Sequence, residues 1–131
     1  MKKLLILLLA LAPTGALGQA FFTPTRSTAI TIATATTTLL ITGVTGKQVV
    51  VMAVDVLSSA AGTLQFIAGT DATCSTGSSN VTGNYSLAAG GFLQKGDGNG
   101  ILWALPAGNS LCAVTTGAGL FPGSITWTLV P

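Results

Sequence analysis

Gln48-Val49-Val50-Val51-Met52-Ala53-Val54-Asp55-Val56-Leu57 is the stretch on which the fold turns. It holds five valines and neither glycine nor proline, a composition that fits a pleated strand and strains a helix. Strict alternation puts Val50, Met52, Val54 and Val56 on one face and Val49, Val51, Ala53 and Asp55 on the other. Both faces are nearly apolar. Such a strand is either central in its domain or packed against a partner subunit. Val49 and Val51 are therefore a candidate assembly face.

Outward from this strand the same pattern repeats in shorter pieces. On its N-terminal side, residues 27–34 and 36–42 are rich in threonine and isoleucine, with Gly43 and Gly46 as punctuation. On its C-terminal side, Ser58 to Gly62 turns the chain, and Leu64, Phe66 and Ala68 begin another strand. Residues 69–83 and 90–100 are glycine-rich and read as loops. Between and beyond them, Tyr85-Ser86-Leu87, residues 101–105, 110–116 and 124–130 read as strands. Pro106-Ala107-Gly108-Asn109 reads as a turn, and Gly117, Gly119, Pro122 and Gly123 mark another. About eight short strands with frequent turns and no helical period give an all-β domain. The expected form is a single antiparallel β-sandwich, jelly-roll-like, over residues 19–131.

The first residues belong to something else. Met1-Lys2-Lys3 is a short positive region, Leu4 to Ala12 is an apolar run, and small residues follow at Ala16, Gly18 and Ala20. That order matches a signal peptide over residues 1–18, with cleavage after Gly18 or after Ala20. As a membrane anchor the run is short, since a span takes about 20 apolar residues. Just past the cleavage sites stand Phe21 and Phe22, which either begin a first strand packed on their own domain or dock on a neighbouring subunit and join the candidate assembly face.

Without the leader the chain carries Arg26, Lys47 and Lys95 against Asp55, Asp71 and Asp97, a net charge of zero. Nineteen threonines, with serine and glycine, must then supply the polar surface. A surface this sparse in charge favours association, so a homo-oligomer is expected. The basic footprint of a nucleic-acid binder is missing.

Cys74 and Cys112 are the two cysteines. In an exported chain an even count reads as a disulfide, here closing a loop of about 38 residues for roughly 4 kcal/mol. The alternatives are two buried thiols or a link between chains. Two cysteines without histidine do not make a metal site.

Catalysis has little to work with. There is no histidine and no glutamate, so serine–histidine and cysteine–histidine systems are excluded. Asp55 lies mid-strand, and Asp71 and Asp97 lie in loops where aspartate caps turns. Asp97-Gly98-Asn99-Gly100 has too few carboxylates for calcium and reads as a hairpin turn. No phosphate loop, catalytic residue, cofactor or metal is expected. Trp103, Trp127, Tyr85 and Phe92 could stack on a sugar, and Trp103 is the candidate ligand contact, although an apolar run such as residues 101–105 also suits a core.

Residues 63–120 resemble a group of small uncharacterised proteins of phages and bacteria that begin with a signal-like segment. The resemblance rests on Leu64-Gln65-Phe66-Ile67-Ala68-Gly69-Thr70, Cys74-Ser75-Thr76-Gly77, Leu87 with Gly90-Gly91, Gly98-Asn99-Gly100 and Pro106-Ala107-Gly108-Asn109-Ser110-Leu111-Cys112. It implies an extracellular or virion-associated β-sandwich with a Cys74–Cys112 bridge, and no activity. The expectation is a non-enzymatic protein, secreted to the periplasm or cell surface of a bacterium or carried on a virion surface. It would self-associate through apolar β faces or contact other virion proteins, without a membrane span. The alternative is an adhesin- or lectin-like module that binds a cell-surface glycan.

Overall fold

The computed structural model describes residues 26–131. The expected signal segment, the expected cleavage sites, Phe21 and Phe22 lie outside them. The described chain is all-β, with no helix. Ten strands follow one another: β1 (Arg26–Ile32), β2 (Thr37–Ile41), β3 (Gln48–Leu57), β4 (Gly62–Gly69), β5 (Ser79–Asn80), β6 (Tyr85–Leu87), β7 (Phe92–Lys95), β8 (Trp103–Ala104), β9 (Ser110–Gly117) and β10 (Phe121–Val130).

They form two antiparallel sheets. Sheet A runs β1-β10-β3-β7, with β8 also on β3, and sheet B runs β2-β9-β4-β5, with β6 also on β4. The ten segments fill eight positions. β7 and β8 lie along the same edge of β3, and β5 and β6 along the same edge of β4. The chain crosses between sheets from β1 to β2, β2 to β3, β3 to β4, β6 to β7, β8 to β9 and β9 to β10. This is the wrapping of a jelly roll, in which most connections span the core rather than join hairpins.

The core explains why the strands hold. Ile30, Ile32, Val49, Val51, Val54, Val56, Phe121, Ile125 and Trp127 from sheet A meet Ile41, Leu64, Phe66, Ala68, Leu111 and Ala113 from sheet B. Each fully buried aliphatic or aromatic side chain contributes about 1.5–3 kcal/mol, enough to organise a domain of this size.

Strand β3 is central, between β10 and the β7–β8 edge. Its two faces are not those that strict alternation gives. Thr126 pairs with Ala53 and Trp127 pairs with Val51, so Met52 is an extra residue with no partner on β10. This bulge shifts the alternation by one. Val49, Val51, Val54 and Val56 all join the inter-sheet core. Val49 and Val51 are fully buried inside their own sandwich, so they are not an assembly face. Opposite the bulge, Gly96 (φ +75°) lets β7 leave the sheet, because a Cβ there would strike the Met52 carbonyl.

Three further expectations change. Ser79–Asn80, inside residues 69–83 that read as loop, pairs with Ala68 and Ile67 of β4. Phe92–Lys95 is a strand inside a segment that reads as loop, paired with β3 from Leu57↔Phe92 to Val54↔Lys95. Pro122 and Gly123 lie inside β10, paired with Thr31 and Ile30 of β1. Gly123 is needed there because the Asp55 carbonyl of β3 occupies the space of a Cβ.

Candidate functional site

The three aspartates that could carry chemistry are held apart in different parts of the fold. Asp71 opens the connection after β4. Its carboxylate accepts from the Thr73 amide and hydroxyl, the Ser75 amide and hydroxyl, and the Thr76 amide, at 2.8–3.0 Å. The Ser75 hydroxyl leads these donors in holding Asp71 well below the usual carboxylate range. An ion so fully engaged is a turn clasp. It shapes the loop that delivers Cys74, which takes a left-handed φ of +52°, to Cys112 on β9. The disulfide is formed, with Cα atoms 6.2 Å apart and both cysteines buried.

Asp97 accepts from the Asn99 amide at 2.9 Å, and this bond holds its carboxyl below the ordinary value. Its turn is no hairpin. β7 and β8 both run antiparallel to β3, so residues 96–102 form an excursion within one edge. Asp55 sits on the solvent side of sheet A, between Gln94 of β7 and Ser124 of β10. Among the described residues no three histidine, cysteine or carboxylate side chains gather as a metal site.

The aromatics divide between core and surface. Trp127 is buried, donates from Nε1 to the Thr28 hydroxyl at 3.2 Å and carries the Arg26 guanidinium 4.9 Å above its ring. Trp103 is half-buried on β8, its ring tilted against Phe66 with centroids 5.0 Å apart. Tyr85 is half-buried on the β6 edge under the Lys95 ammonium, 5.5 Å from its ring centre. Phe92 stands 59% exposed.

Phe92 belongs to a surface that the topology assembles. Residues 33–36 (Ala-Thr-Ala-Thr), 58–61 (Ser-Ser-Ala-Ala), 88–91 (Ala-Ala-Gly-Gly) and 118–120 (Ala-Gly-Leu) are the four connections at one end of the sandwich. Backbone bonds from Ser58 to Gly91, Gly90 to Ser58 and Ser59 to Leu120 tie three of them together. The fourth is fastened to β9, whose Thr115 amide and hydroxyl donate to Thr36 and Ala33 carbonyls. None of these residues is charged. Leu57 and Phe92 form a cross-strand pair at this end, and both are exposed, as is Leu120. The opposite end carries Lys47, Asp71 and the disulfide.

Leu57 and Leu120 were not legible as surface residues. The signal for the end was present as four small-residue connections, but only the crossover pattern brings them together. Compared with family models, curated proteins and solved structures, the chain matches none. Among the described residues no helix is long and apolar enough to cross a membrane.

Proposed function

We propose that this chain is a non-enzymatic structural subunit, exported or carried on a virion surface, that packs against neighbouring copies through the uncharged end of its sandwich. The observation that carries this reading is the gathering of exposed Leu57, Phe92 and Leu120 at an end whose four connections hold no charge. Single exposed apolar residues are ordinary, but a group at one end is the usual mark of a contact surface. Two copies meeting there bring no like charges together, and the threonine and serine hydroxyls keep the rest of the surface wet. The disulfide is consistent with an oxidising compartment, as the leader-like N-terminus and the resemblance to phage and bacterial proteins suggest.

A glycan-binding role has less support. Phe66 takes up one side of Trp103, leaving no free-standing aromatic platform there.

Light scattering on the purified chain tests the proposal. The wild type should form species larger than the Phe92→Lys, Leu120→Lys double variant at high concentration. Equal masses would end the role assigned to this surface, and a strictly monomeric wild type would end self-association altogether.

A further inference from the structure

The sandwich has four lateral edges, and three are broken. The β7–β8 edge is interrupted by residues 96–102. The β5–β6 edge is interrupted by residues 81–84. The β2 edge loses register between Leu39 and Ile41. Strand β1 differs. It pairs with β10 residue for residue from Arg26↔Trp127 to Ile32↔Phe121 with no shift, and no described strand covers its other side. It contains no proline, lysine or bulge. An unbroken edge of this kind presents a row of free amides and carbonyls as a template for another strand.

We propose that β1 is a dimerisation edge, at which two copies join their A sheets by antiparallel β1–β1 pairing centred on Ala29. The sequence of β1 suits itself in that register. Ala29 faces its own copy, Thr28 faces Ile30, Ser27 faces Thr31 and Arg26 faces Ile32, so all seven residues find partners. Each pair lies on the same side of both sheets, as a continuous sheet requires. The side chains that share the solvent face, Ser27, Ala29 and Thr31, are small and exposed, so none obstructs the approach. Charge selects the direction. Arg26 is the strand's one charge, and in-register parallel pairing would set two arginines side by side. Antiparallel pairing separates them by about 20 Å, six residues of strand and beyond the ~8 Å screening length of physiological salt.

This interface is independent of the uncharged end, since β1 is a lateral edge and the end is made of connections. Together the two would allow chains of subunits rather than closed pairs, because each copy would present two separate self-complementary surfaces.

The test places opposite charges at the proposed centre. In the Phe92→Lys, Leu120→Lys background, which silences the end, the full chain should remain a dimer by light scattering. Adding Ala29→Lys or Ala29→Glu should lower the mass by about half, since like charges then face each other across the pair. An equimolar mixture of the two should restore the dimer. Ala29→Cys should give a covalent dimer on mild oxidation, with far-ultraviolet circular dichroism unchanged. A monomeric background, unchanged masses after the charge substitutions, or a mixture that stays monomeric would overturn the edge proposal. Failure of the end proposal reads differently: the wild type and the double lysine variant would then have the same mass while the Ala29 charge swap still worked.

Discussion

Removing Met52 from the chain should leave the inner face of β3 intact, whereas removing Val50 should not. Met52 is the residue that the bulge sets aside between Thr126↔Ala53 and Trp127↔Val51. Without it, Val49, Val51, Val54 and Val56 alternate regularly and all still face sheet B. The facing edge can follow, because residues 96–102 already absorb a discontinuity between β7 and β8. The cost is the lost burial of one methionine, about 1.5–3 kcal/mol. Deleting Val50 instead keeps the bulge and turns the strand beyond it over. Val49 moves outward into the buried place of Val50, and the Gln48 amide takes the inward place of Val49 without a partner. One valine at about 1.5–3 kcal/mol and an unpaired amide at about 1–3 kcal/mol bring the cost to roughly 2.5–6 kcal/mol. A domain with about 5–15 kcal/mol in hand scarcely survives the upper part of that range. Guanidinium unfolding followed by the fluorescence of Trp103 and Trp127 measures the difference. With about 1–3 kcal/mol between the variants, their midpoints should differ by roughly 0.3–1 M. A Met52 deletion as damaging as the Val50 deletion would refute the bulge as the device that sets the faces of β3.

The disulfide and the Asp71 clasp give two more tests. Replacing Cys74 and Cys112 together by alanine should cost about 4 kcal/mol for a closed loop of 38 residues, lowering the melting temperature by roughly 15 °C or more. A reductant should shift the wild type toward the variant and leave the variant itself unmoved. For Asp71, the folded carboxyl titrates below its unfolded value, so its contribution is present above about pH 4 and fades as the pH falls through the folded value. Asp71→Asn should therefore flatten the acid side of the stability curve between about pH 4 and pH 2, as thermal unfolding across that range would show. An unchanged acid slope would mean that the clasp orders the loop without stabilising the fold.

Much of the fold was legible because strands announce themselves through local chemistry. Runs of valine, isoleucine and threonine between turn residues placed β1, β2, β3, β4, β6 and β9 within a residue or two, and the two cysteines implied their own pairing. The rest depended on contacts that no local pattern encodes. Strict alternation misassigned Val49 and Val51, because a bulge is an event of pairing and leaves no mark in a run of valines. Phe92–Lys95 was hidden by the glycines on either side of it, although β3 completes it as a strand. Pro122-Gly123 has the composition of a turn, yet it continues β10, since glycine is what the approach of the Asp55 carbonyl demands. At the uncharged end, four unremarkable connections became one surface only through the crossovers. Trp103 was readable as an aromatic on a strand, but its contact with Phe66 was not.

Most colloidal particles stay dispersed because like charges hold them apart. Here the described residues carry only Arg26, Lys47 and Lys95 against Asp55, Asp71 and Asp97, which sum to zero, so little net field reaches outward. Added salt would have little to screen, and contact at the uncharged end would depend instead on the shedding of water from leucine and phenylalanine. That contact weakens on cooling, which makes chilling, rather than added salt, the condition under which copies joined at that end should come apart.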